Sequence, residues 1–183
     1  MNDAISYVKS FDGISYNTLD RPPKEDEAPF WVSNNHPPNY DVIIKNGSNC
    51  AGLINLVRRY MGLEIPGNFS NQPREEWAGG TDVWFSYLQK ENRLQNIDIN
   101  ISYPSGTLLI QDYNPEDQGH LAMTINKGET LLDTKIIHNV SGRYKEDGKW
   151  YYLKEVNIHK LKDYFNYSRF THICLPDNWL LKQ

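Results

Sequence analysis

At 183 residues the chain is long enough for one domain with a full hydrophobic core, and its net charge of −4 leaves no basic face for nucleic acid. No stretch approaches the roughly 20 apolar residues that a bilayer span requires, so no membrane segment is expected. The N-terminus, MNDAISYVKSFDGISYN, lacks the basic start and apolar run of an export signal, which points to a cytoplasmic or virion-associated location.

Residues 1–28 are polar and end in a proline and charge run, DRPPKEDEAP, so they are expected to form an extension leading into a single domain at 29–183. Next comes GSNCAGLINLVRRYMG. Leu53, Ile54, Val57, Tyr60 and Met61 recur at helical spacing, Ser48 and Asn49 can cap, and Gly62 ends the pattern. A second helix is expected from Thr81 to about Glu91, with Trp84, Phe85 and Leu88 on its buried face. From Ile97 the period changes to two, and strands are expected at Ile97–Ile101, Thr107–Asp112, His120–Asn126 and Thr130–Ile137. Further strands follow at Trp150–Val156 and Phe170–Leu175, with HKLKDYF between them as a short helix or turn. Helices followed by a meander give an α+β fold.

The chemistry concentrates on two motifs. Cys50 stands at the first turn of its helix, where unsatisfied N–H groups lower a thiol pKa. His120 begins a strand farther on, so cysteine, histidine and a polar orienter occur in triad order. A two-residue hairpin at Lys127-Gly128 would set Ala122 opposite Asp133 and make His120 and Asp133 diagonal neighbours on one face. In that register His138 points to the other face, so Asp133 is the expected third residue, and a one-residue slip exchanges the two. Cys174 lies in the apolar run FTHICLP and reads as core, and both cysteines are taken as free thiols. His36, His159 and His172 show no i, i+4 pairing, so neither a metal nor any other cofactor is expected.

These residues resemble the NlpC-type cysteine peptidases, a papain-like family that cuts cell-wall peptides. The family's Asp-Cys-Ser-Gly motif is matched by Asn49-Cys50-Ala51-Gly52, its Leu-Pro and Gln segment by Ile65-Pro66 with Gln72, its Gly-Asp strand by Ser105-Gly106-Thr107, and its histidine strand by Gly119-His120. Asp133 stands where the family more often has His, Asn or Gln. The resemblance implies an N-terminal helical part carrying the cysteine, packed on an antiparallel sheet carrying the histidine. It also implies a tyrosine upstream of the cysteine in the substrate site. The matching stretch holds Trp31, with Tyr40 as a substitute, and these join Ser48 as candidate substrate-binding residues.

The implied activity is hydrolysis of amide bonds in short peptides of the peptidoglycan type by a Cys50-His120-Asp133 triad, with a peptide or muropeptide as partner. Two alternatives stay open. One is an amidase, thioesterase or acyltransferase on a non-wall substrate; the other is a non-catalytic viral or phage particle protein that keeps the fold. Oligomeric state is not fixed by the sequence.

Overall fold

Ala4, Val8 and Phe11 recur at helical spacing, and they form the buried side of helix α1 (Asn2–Lys9) and of the turn after it. The computed structural model describes residues 2–17, 40–112, 119–146 and 148–180. Within them lie four further helices, α2 (Tyr40–Asn46), α3 (Cys50–Tyr60), α4 (Thr81–Lys90) and α5 (Pro176–Trp179). Six strands complete the α+β architecture: β1 (Gln95–Asn96), β2 (Leu108–Gln111), β3 (His120–Thr124), β4 (Lys135–Glu146), β5 (Lys149–Lys160) and β6 (His172–Cys174). Every pairing is antiparallel, in the order β1-β6-β2-β3-β4-β5.

Because side chains alternate along a strand, the sheet carries two cores. On one face Leu121, Met123, Ile110 and Ile137 meet Leu53 and Ile54 of α3, together with Trp84 and Trp179. On the other, Leu109, Ala122 and Ile136 are covered by Leu161, Tyr164 and Phe170 from the segment that follows β5. That segment contains two short 3-10 turns, Leu161–Asp163 and Tyr167–Arg169, where a short helix or turn was expected.

α3 is the central helix. Asn49 caps it by accepting from the Gly52 amide at 2.7 Å, and all residues from Cys50 to Arg59 are buried. Its polar side chains bind it to its neighbours: Asn55 accepts from the Trp84 indole at 2.8 Å and donates to the Gly79 carbonyl at 3.0 Å. Buried Arg58 donates to the Trp179 carbonyl at 2.5 Å and lies over the Trp84 and Tyr87 rings.

Three expectations are corrected. Residues at the start of the chain are not a separate polar extension: Ala4, Val8, Phe11 and Ile14 belong to the same buried cluster as α3. The remainder of the expected 1–28 extension beyond residue 17 lies outside the described residues. The expected strand at Ile97–Ile101 does not form, and only Gln95–Asn96 before it pairs, because the Asp98 carboxylate accepts from the Asn100 amide at 2.9 Å and turns the backbone out of the ladder. The expected strand at Thr130–Ile137 starts only at Lys135, since the chain spends 125–134 in a compact connection held by Thr134 and Asn126 side chains.

Candidate active site

Cys50 is brought against β3, at the residue after His120, where β3 and β4 part. These strands pair at Met123–Ile137 and Thr124–Ile136. Toward His120 the start of α3 enters between them. On the β4 side, Asn139 donates to the Ser48 carbonyl at 2.6 Å and to the Ser48 hydroxyl at 2.8 Å. On the β3 side, the Leu121 amide donates to the Cys50 sulfur, which places the thiol one residue from His120. Segment 13–17 closes the remaining side: Tyr16 bridges to Ser48, its amide donates to the Lys154 carbonyl at 2.9 Å, and Val156 donates to the Ile14 carbonyl at 2.7 Å.

The thiol sits deep, with Cys50 only 8% exposed and His120 9%. Burial pushes the Cys50 thiol up; the Leu121 amide, the Thr81 hydroxyl and the N–H groups at the helix start pull it back by less. The lowered thiol pKa expected from the helix position is therefore overridden by desolvation. Tyr16 lies within electrostatic reach of the thiol, its own pKa raised first by burial and then by Cys50 and Tyr164.

His120 opens a chain of rings. Its Nε2 is 2.7 Å from His138 Nδ1, His138 Nε2 is 3.1 Å from His159 Nε2, and His159 Nδ1 is 2.8 Å from Asn157 Oδ1. Tyr164 fixes the three rings from one side. It meets His138 edge-on at 4.7 Å and 89°, stacks on His159 at 5.9 Å, and tilts against His120 at 5.8 Å. Burial, then the neighbouring His120 and His159, hold His138 well below the usual imidazole range, and burial alone lowers His159 to about 4. Both rings are thus neutral at pH 7.

The residue held against His120 is His138 and not the expected Asp133. Asp133 is half-buried, pairs with Lys162 at 2.8 Å and accepts from Thr130 at 3.1 Å, and those bonds hold its carboxyl below the usual range. The cause is register. Continuing the observed ladder sets Ala122 opposite His138 rather than Asp133, an odd shift of five residues that exchanges the faces. Ser48 is 1% exposed and ties α3 to β4, so it serves the frame rather than lining an open surface. Tyr40 stacks on Phe11 and donates to the Ser10 carbonyl at 2.7 Å, on the α1 side of the molecule. Trp31 lies outside the described residues.

The sequence reasoning missed Tyr16, His159 and Asn157. For His159 and Asn157 the signal was present as strand alternation across the β4–β5 ladder, in which Ile136 pairs with His159 and His138 with Asn157. Among the described residues no group of three or more His, Cys, Asp or Glu is arranged to hold a metal ion, and no helix is long and apolar enough to cross a membrane. Comparison with protein-family models, with curated proteins and with solved structures returned no match.

Proposed function

We propose that this chain is a cysteine hydrolase of the NlpC type with a papain-like arrangement, cleaving amide bonds in short peptides such as those of peptidoglycan. The observation that carries the proposal is a helix-start thiol, Cys50, that accepts from the amide of Leu121, the residue after a strand histidine, His120, whose Nε2 is held by a second histidine, His138. In the resting state Cys50 is a thiol, so His120 acts as general base, taking the proton as sulfur attacks the carbonyl carbon. The tetrahedral intermediate collapses, His120 returns the proton to the leaving amine, and water hydrolyses the thioester. The Cys50 N–H at the start of α3 is the natural donor to the oxyanion. Tyr16, beside the thiol, takes the place of the upstream tyrosine that the family resemblance implies.

The test is digestion of purified muropeptides by the wild type and by Cys50→Ala, read by mass spectrometry. Cleavage by the wild type alone is expected. Intact muropeptides with hydrolysis of simple thioesters or other amides would move the same three residues to a non-wall acyl chemistry, and no Cys50-dependent turnover of either class would leave a non-catalytic protein.

A further inference from the structure

The chain of rings behind His120 ends on the side-chain oxygen of Asn157. An amide oxygen only accepts, so Asn157 Oδ1 at 2.8 Å requires the proton on His159 Nδ1. His159 is a neutral ring, so its Nε2 then carries a lone pair and must accept from His138 Nε2 at 3.1 Å. His138 is neutral for the same reason, so its Nδ1 accepts in turn from His120 Nε2 at 2.7 Å. Each bond leaves one choice for the next. A neutral His120 then carries its lone pair on Nδ1, the ring nitrogen left to act as a base.

We propose that Asn157 and His159 are positioning residues, which through His138 lock His120 in the tautomer with its proton on Nε2 and its basic nitrogen at Nδ1. The inference rests on Cys50 and His120 being nucleophile and base, and extends that pair by two residues of β5. Tyr164, buried and in ring contact with all three histidines, keeps the rings from rotating out of the series. Asn157 is half-buried on a long hairpin, which makes it a position that tolerates substitution.

The experiment is long-range proton–nitrogen NMR of the histidine rings in the full chain at pH 7, for the wild type, Asn157→Leu and Asn157→Asp, with iodoacetamide labelling of Cys50 measured on the same samples. In the wild type His120 and His138 are expected with the proton on Nε2 and His159 with it on Nδ1. Asn157→Leu removes the accepting end; His120 is then expected as a mixture of tautomers, with the Cys50 labelling rate falling to about half or less, since a wrong tautomer is inactive as a base. Asn157→Asp keeps an acceptor and is expected to restore the wild-type tautomers. Finding His120 protonated on Nδ1 in the wild type, or finding its tautomer unchanged in Asn157→Leu, overturns the proposal. The ring signals do not depend on thiol chemistry. If they follow the expected pattern while labelling ignores His120→Ala, the relay stands and the hydrolase assignment fails.

Discussion

Two neutral, buried histidines make this fold sensitive to mild acid. In the unfolded chain a histidine titrates near 6.5. In the folded protein His159 titrates at about 4, and His138 is held well below 6.5 by burial and by its two imidazole neighbours. The folded pKa is the lower one, so below pH 6.5 the unfolded state takes up protons that the native state refuses. Stability is therefore complete above pH 6.5 and is lost as the pH falls toward 4. Between pH 7 and pH 5 His159 contributes a loss of about 2 kcal/mol, and His138 adds to it in the same direction. Against a typical total of about 5–15 kcal/mol that is a large fraction. With a urea dependence of roughly 2 kcal/mol per molar, the unfolding midpoint should drop by at least about 1 M. Equilibrium urea unfolding followed by tryptophan fluorescence at the two pH values measures it, and His159→Gln should remove about 1 M of the drop. Equal midpoints at pH 7 and pH 5 would refute the neutral, buried state of these rings.

Other consequences are more local. His138→Ala should slow alkylation of Cys50 at pH 7 by at least about tenfold, whereas Asp133→Asn, altering an exposed pair with Lys162, should leave the rate unchanged. Gly79→Ala should destabilise by about 2–3 kcal/mol in urea unfolding, because Gly79 has φ +72° and its new Cβ would lie 2.3 Å from Asn55 Nδ2, in the link that also holds Trp84. Cys174, fully buried and with its thiol pushed up to about 12, should resist iodoacetamide in the native protein and react only after denaturation, as peptide mapping will show.

The legible parts of the fold were those where local chemistry and tertiary packing agree. Asn49, the apolar stripe from Leu53 to Val57 and Gly62 marked α3 within a residue of its ends, and His120 opened its strand as expected. Lys127-Gly128 misled because it has the composition of a two-residue hairpin. Gly128 lacks the positive φ such a turn needs, and a Cβ there would meet the Thr130 carbonyl and Thr134 at 2.7 Å. The connection that forms instead moved the register, and with it the third residue. At the start of the chain the charge run after residue 19 dominated the composition and hid the stripe of Ala4, Val8 and Phe11. His159 escaped because it was tested for helical i, i+4 partners, whereas its partner lies across a strand pair that sequence spacing does not display.

The central claim is that His120 serves as base to Cys50. The most direct test is the rate of iodoacetamide labelling at Cys50 between pH 5 and 9, with Cys174 as internal reference, in the wild type and in His120→Ala. Labelling near neutral pH that is at least about tenfold faster in the wild type is the predicted result. Identical pH profiles in the two proteins would contradict it and leave Cys50 a structural thiol.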